Sequence, residues 1–198
     1  MEEACNEILV RVVDMSTVLK PSEAFALVLE EKGGERRRRL ALIIGAVEAQ
    51  TIRISQLGYR PPRPFTHDLM LSVMKAAGME PVKGVISAVK NGIYYANLYV
   101  RQSDGTVFHV DARSTDVITL SIRAKFPLYV LDDVLEREQL RNISPDGSAY
   151  TVPVNIVDME TLKREMQAAV DREEYELASK YRDEIKRREM EEENCKEN

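Results

Sequence analysis

The stretch that decides the fold is HVDARSTDVITLSIRAK, residues 109–125. Its first residues complete a predicted strand over 107–112, and the apolar spacing that follows predicts a helix from about Ser114. Charged side chains at such a junction lie beside the unpaired N–H groups of the helix start, which favour anions. The tight corner carries three of them: Asp111, Arg113 and Asp116. Together they can bind a metal and a phosphate, or they can neutralise one another.

Upstream of the corner, the sequence alternates between strand and helix signals. We expect strands over three apolar runs: 6–13, 24–31 and 37–44. Gly33-Gly34 predicts a hairpin turn between the second and third strands, because glycine accepts positive φ.

Two helices are predicted between Gly45 and Gly78. The first repeats apolar residues at helical spacing: Ala46, Ala49, Ile52 and Leu57. The second has Thr66 as its expected N-cap and an apolar stripe of Leu69, Val73, Met74 and Ala77. The three prolines of YRPPRPF, residues 59–65, exclude helix and central strand in between.

Around the corner itself, Asn91-Gly92 predicts a hairpin between strands over 82–90 and 93–101. The helix after the corner is expected to bury Val117, Ile118, Leu120, Ser121 and Ala124. A short strand follows Pro127, and a short helix is expected within 132–140. The fold class is therefore α+β, with a mixed or antiparallel sheet of about six or seven strands, three helices and a C-terminal helical hairpin.

Charge and sequence pattern together divide the chain into three parts. Residues 158–198 contain 14 acids and 9 bases, which accounts for the whole formal charge of −5, so the rest is neutral. We expect a body over 1–141, a linker over 142–157 and a helical hairpin over 158–198. A neutral body is not a strongly basic nucleic-acid binder, and any such binding must use local patches.

The cellular setting is suggested by what the sequence lacks. Cys5 and Cys195 have no CxxC spacing, so neither a zinc site nor a disulfide framework is indicated. The longest apolar run, 40–47, is too short to span a bilayer, and the N-terminus is acidic where a signal peptide is basic. We expect no membrane contact and a reducing cytoplasm.

Four acids are candidate ligands for a hard divalent ion such as Mg²⁺ or Mn²⁺: Glu48, Asp68, Asp111 and Asp116. Three of them lie near helix starts, where the helix dipole favours a negative charge without any further function. Asp111 ends a strand and has no capping role, so it is either a ligand or a salt-bridge partner of Arg113.

Two basic residues and one basic run each have two interpretations. His67 can act as a ligand, acid or base at the start of the second helix, or can merely fill its first turn. Arg113 can clamp a phosphate or pair with Asp116. The run Arg36–Arg39 is favoured as a solvated edge strand over a phosphate-binding patch. The other histidine, His109, is interpreted as a cross-strand packing residue.

Three blocks taken together resemble the bifunctional nuclease family: IGAVEAQTI (44–52), RPFTHDL (63–69) and DARSTDVITLSIR (111–123). The resemblance covers about residues 6–137. It implies an α+β domain that forms oligomers and cleaves DNA and RNA. The polar residues shared with the family are Glu48, His67, Asp68, Asp111, Arg113 and Asp116. Where the family usually has proline then serine, this chain has Ser114 then Thr115.

The tail resembles the UVR motif of excision-repair subunits, in which a helical hairpin pairs with a like hairpin on a partner. The matching residues are Met166, Ala169, Tyr175, Glu176, Ala178, Arg182, Asp183 and Ile185. Two functions therefore compete. The first is a metal-assisted nuclease in which Asp111 and Asp116, with Glu48 or Asp68, hold the ion. The second is an oligomeric adaptor that recruits a repair or stress-response partner through the hairpin.

Overall fold

The computed structural model describes residues 6–16, 24–34, 37–90, 92–142, 150–151 and 159–171, and part of 174–190. They form two compact units, one from residues up to 150 and one mainly from residues 151 onward.

The first unit is built on one seven-stranded sheet. Its strands are β1 (Glu7–Met15), β2 (Phe25–Glu31), β3 (Arg39–Ile44), β4 (Glu80–Lys90), β5 (Ile93–Arg101), β6 (Val107–Arg113) and β7 (Leu128–Leu131). Their order in the sheet is β3-β2-β1-β7-β4-β5-β6. β4 and β7 are parallel, whereas β1 is antiparallel to both β2 and β7. The predicted α+β class with a mixed sheet is confirmed.

The first unit also contains four helices: α1 (Ala46–Gln56), α2 (Thr66–Ala76), α3 (Ser114–Ala124) and α4 (Asp132–Glu138). The core lies between them and one face of the sheet, and its fully buried members include Leu27, Leu42, Ile86, Val117, Ile118 and Leu135. Since Gly84 of β4 has no side chain, α3 packs directly against that strand. A Cβ placed there would collide with Val117.

The sheet is strongly curved. Tyr94 Oη, on β5, donates a hydrogen bond of 3.2 Å to the carbonyl oxygen of Ala41, on β3. Four strands separate β3 from β5 in the sheet order, so the sheet must bend around the core to bring them together. Burial, reinforced by the charge of Glu138, raises the pKa of the Tyr94 phenol.

Several predicted core positions are wrong. The predicted apolar positions Ala46, Leu57, Leu69, Val73, Ala77 and Ala124 are exposed, and Met74 is the buried residue of α2. Periodicity alone cannot tell how wide a buried stripe is, and α2 covers the sheet over a narrower strip than its sequence suggests. Thr66 is also not the N-cap: it is the first helical residue, and Phe65 is the N-cap.

The arginine run lies at an edge of the sheet, as β3 is the edge strand. It is less solvated than expected. The side chain of Arg38 is 12% exposed and forms ion pairs with Glu31, Asp132 and Glu136, while Arg39 pairs with buried Glu30. Hydrogen bonds to Glu31 first, and then to Asp132 and Glu136, raise the pKa of Arg38. The ion pairs of Arg38 and Arg39 together fasten the start of β3 to β2 and to α4. Arg36 lies outside the described residues.

The predicted linker contains regular structure, because β8 (Arg141–Asn142) pairs with β9 (Tyr150–Thr151). In the second unit, α5 (Met159–Asp171) is followed by helical residues among those described between 175 and 190. Ala169, Ala178 and Ile185 are buried, whereas two residues of the predicted apolar stripes, Val170 and Tyr175, are exposed. Residues 172–173 of the predicted turn lie outside the described residues. Within the described part of the chain, no helix is long and apolar enough to cross a membrane.

Candidate active site

A pocket of about 460 Å³ opens where the first turns of α1, α2 and α3 meet. Four of the predicted polar residues line it: Glu48, His67, Arg113 and Asp116. They come from three helices and the end of β6, so chain segments nearly 70 residues apart converge. Each acid occupies the first turn of its helix, as the sequence indicated.

Arg113 joins the two acids of this pocket. Its Nε donates to Asp116 Oδ2 at 2.9 Å and its Nη2 to Asp116 Oδ1 at 3.2 Å. Its Nη1 reaches Glu48 Oε1 at 3.3 Å. These hydrogen bonds, those of Asp116 first, raise the pKa of Arg113. The side chain is nevertheless 69% exposed, so the guanidinium faces the pocket opening as well as the acids. Of the two predicted partners for Arg113, the structure selects Asp116 rather than Asp111.

His67 shares the same carboxylate. Its Nε2 lies 3.1 Å from Asp116 Oδ1, and its side chain is largely buried. A carboxylate in this position orients an imidazole for proton transfer. The pair thus has the geometry of an acid–base dyad. Of the two interpretations of His67, this contact favours a chemical role over mere packing in the first turn of α2.

Asp68 points away from the pocket opening. Its Oδ1 pairs with Arg123 Nη1 at 2.8 Å, and its Oδ2 accepts the backbone N–H of Phe65 at 3.2 Å. One carboxylate therefore both caps α2 and links it to α3. Asp68 is not among the pocket-lining residues.

Asp111 lies on the opposite face of the sheet. Side chains alternate along a strand, and Ala112 packs against the core, so Asp111 faces away from the helices. It is exposed and stands opposite Asn97 of β5. His109 occupies the same outer face, where its ring centroid lies 5.4 Å from that of Tyr99. The interpretation of His109 as a cross-strand packing residue is confirmed.

Comparison with known proteins identifies the domain that holds this pocket. Residues 27–142 match the bifunctional nuclease domain. The chain belongs to this family. A second match, to the UvrB/uvrC motif, covers residues 159–192, so both predicted resemblances are confirmed, in the predicted order.

Two relatives of this bifunctional nuclease domain protein come from Mycobacterium tuberculosis. They are the uncharacterized protein MT1877 of strain CDC 1551 / Oshkosh and the uncharacterized protein Rv1829 of strain ATCC 25618 / H37Rv. Each is 34% identical over 139 residues, which is 70% of this chain and 79% of the relative.

The bifunctional nuclease domain brings two predicted carboxylates together rather than four. Glu48 and Asp116 share Arg113, whereas Asp68 and Asp111 lie elsewhere. Among the residues that the structure describes, no three or more His, Cys, Asp or Glu side chains cluster in a way that would hold a metal ion. Mg²⁺ often needs only one or two carboxylates, because water and phosphate oxygens complete its shell. Glu48 and Asp116 match that requirement in number and ligand chemistry, and in this structure both already accept hydrogen bonds from Arg113.

Sequence reasoning missed Arg123. Its side chain is 7% exposed and lines the pocket, and its Nε donates to Ser55 Oγ at 2.9 Å. A signal existed, because Asp116, Thr119 and Arg123 are spaced i, i+3 and i+7 and therefore share one face of α3. That face is the wall of the pocket.

Proposed function

We propose that the protein is a nuclease that hydrolyses phosphodiester bonds of DNA, RNA or both. The observation that carries this proposal is the convergence of His67, Asp116, Arg113 and Glu48 on one pocket. Membership of the bifunctional nuclease family supports it. The four side chains provide a proton acceptor, an anion clamp and hard oxygen ligands, which are the groups that phosphodiester hydrolysis needs.

Arg113 is the proposed phosphate clamp. Three of its five N–H groups are used in hydrogen bonds to Asp116 and Glu48, which leaves two for a phosphate oxygen. Its exposure allows a substrate phosphate to approach from solvent. A guanidinium binds two phosphate oxygens at once, which fixes the orientation of the phosphorus atom.

His67 is the proposed general base. The imidazole, oriented by Asp116, accepts a proton from the attacking water as the new P–O bond forms. The bond between phosphorus and the sugar oxygen breaks, and that oxygen leaves with a proton from the imidazolium or from solvent. Asp116 stabilises the imidazolium between these transfers.

A divalent ion, Mg²⁺ or Mn²⁺, is proposed at Glu48 and Asp116. Close to Arg113, the carboxylates of Glu48 and Asp116 place two negative charges beside one guanidinium, and a substrate phosphate adds another negative charge, so a divalent cation would offset the repulsion. When bound, the ion would polarise the phosphate and lower the pKa of a bound water.

Two predicted site residues receive different proposals. Asp68 is a positioning residue, because it holds Arg123 and the start of α2 while lying outside the pocket. Asp111, the other predicted ligand, lies on the opposite face of the sheet and has no role in this proposal, so its variant tests the earlier prediction against this one.

The experiment compares the two histidines. Purified wild-type protein, His67→Gln and His109→Gln are incubated with end-labelled single-stranded DNA and RNA, with and without EDTA. We expect His67→Gln to lose hydrolysis about 100-fold or more, and His109→Gln to retain it. EDTA should abolish cleavage. Equal activity of all three proteins would contradict the role of His67 as the base. Cleavage that survives EDTA would contradict the proposed divalent ion.

The second candidate is a non-catalytic adaptor, with the C-terminal hairpin as its recruiting element. The UvrB/uvrC motif match and the exposed apolar residues Val170 and Tyr175 favour it. The partner would be a protein that carries a like hairpin, in DNA repair or a stress response.

The predicted homo-oligomer has separate support in the exposed apolar residues of α2, Leu69 and Val73. The cytoplasm remains the predicted compartment, and 1–141, 142–157 and 158–198 remain the predicted domain bounds.

Deleting residues 158–198 separates the two candidates. A nuclease keeps hydrolysis without its tail, whereas an adaptor never hydrolyses and loses capture of the partner in a pull-down. The double variant Val170→Ser/Tyr175→Ser is the milder control, since both side chains are exposed. It should weaken capture and leave hydrolysis unchanged.

A further inference from the structure

Glu48, His67, Arg113 and Asp116 form the polar end of the pocket, and Arg123 marks the other, apolar end. Phe65 lies beside the Arg123 guanidinium, and Ile54 adjoins Ser55, which accepts a hydrogen bond from Arg123 Nε. Val47 and Met70 complete the apolar lining of the pocket. The whole pocket, at about 460 Å³, belongs to the size range of small-ligand sites. A phosphate alone would fill only the end near Arg113, so the apolar end has room for a further group.

Phe65 gives this end a flat aromatic surface. The residue is 41% exposed although it lines a pocket, and its backbone is fixed by the hydrogen bond from its N–H to Asp68. The guanidinium carbon of Arg123 lies 6.0 Å from the ring centroid. A half-exposed aromatic ring in the wall of a pocket is a typical stacking surface for a nucleobase.

Arg123 brings an unused donor to the same wall. Its Nε and Nη1 are bound by Ser55, Asp68 and the carbonyl of Tyr59. Its Nη2 is buried and has no hydrogen-bond partner within the described part of the chain. Buried guanidinium N–H groups are rarely left without an acceptor, so an acceptor from outside the chain is expected here.

We propose that the apolar end is a subsite for one unpaired nucleobase. The base stacks on Phe65, and one of its carbonyl oxygens or ring nitrogens accepts a hydrogen bond from Arg123 Nη2. This subsite rests on the proposed function, because the phosphate of the same nucleotide lies at Arg113. A base inside a duplex cannot enter a pocket of one-nucleotide size, so the substrates are single strands, loops and frayed ends.

The test measures binding without hydrolysis. With Mg²⁺ present, calorimetric titration of the full-length protein compares nucleoside 5′-monophosphates, which have no phosphodiester bond to cleave, with ribose 5-phosphate, which lacks the base. We expect the nucleotides to bind about tenfold or more tightly. Phe65→Ala should remove that difference, Phe65→Tyr should keep it, and Leu69→Ala, an exposed α2 residue outside the pocket, should have no effect.

Each outcome supports or overturns the subsite, the proposed nuclease or both. Equal affinity for nucleotide and sugar phosphate, no binding of either ligand, or tight binding unaffected by Phe65→Ala overturns the subsite. If single strands are still cleaved in that case, the proposed nuclease stands without it. If nucleotides bind in a Phe65-dependent way but no nucleic acid is cleaved with Mg²⁺ or Mn²⁺, the subsite stands and the nuclease proposal fails.

Discussion

His67 and Asp116 lie 49 residues apart in the sequence, and their side chains are 3.1 Å apart in the fold. The contact joins the starts of α2 and α3. It makes Asp116 the shared partner of an imidazole and a guanidinium, so one substitution disturbs two groups of the site.

Asp116→Asn is therefore expected to lower nuclease activity about 100-fold or more. The amide keeps the size of the side chain, but it cannot stabilise an imidazolium and it loses the ion pair with Arg113. Initial cleavage rates on a single-stranded oligonucleotide measure this. Asp111→Asn, on the opposite face, is the matched control and should cleave like wild type. If Asp111→Asn instead abolishes cleavage, the site extends beyond the pocket.

Arg113→Lys tests the phosphate clamp. Lysine keeps the charge but cannot donate in a planar fork, so we expect a roughly 10- to 100-fold loss of kcat/KM. Arg101→Lys is the control, since Arg101 is an exposed residue of β5 that pairs with Glu80. Unchanged kcat/KM in the Arg113→Lys variant would show that the guanidinium geometry plays no part in substrate binding.

The strands and turns closest in sequence were predictable, whereas their assembly was not. Gly33 does adopt positive φ, and α3 begins at Ser114, where the apolar spacing predicted its start. The parallel pairing of β4 with β7 depends on packing between distant segments, which local propensity does not encode.

The candidate site divides in the same way. Glu48, His67 and Asp116 could be named as residues but not as neighbours, because helix packing decides which first turns meet. Asp111 was partly predictable, since its alternation with core-facing Ala112 already places it on the outer face. The position of Asp68 outside the pocket was not predictable, because its partner Arg123 lies 55 residues away in the sequence.

Glu30→Gln is expected to change how stability depends on pH. Hydrogen bonds from Arg11, and then from Arg39, hold the pKa of Glu30 below its usual 4.5. A lowered folded-state pKa means that the carboxylate stabilises the fold above about pH 4.5, and that this is lost as pH falls through the lowered value. Urea unfolding at pH 7 should show a loss of about 1–3 kcal/mol in the variant, with a smaller difference from wild type in acid. Glu80→Gln, in an exposed pair, should change stability by less than about 1 kcal/mol.

Gly84→Ala tests the close approach of β4 and α3. The added methyl group collides with buried Val117, so we expect a loss of about 1–3 kcal/mol in the free energy of unfolding. The double variant Gly84→Ala/Val117→Ala makes room for the methyl group, and its loss should be smaller than the sum of the two single losses. Additive losses in thermal or urea unfolding would show that the two positions do not clash.

The central place of β1 has a consequence for biosynthesis. β1 leaves the ribosome before the other described strands, yet one of its two neighbours, β7, is translated more than 100 residues later. Until then, the β1–β2–β3 meander has an open edge that another extended chain can pair with. Folding must therefore wait for late segments, which is slow for such long-range pairing. We therefore expect a nascent chain that stalls before Leu128 to keep this edge open and to be prone to aggregation.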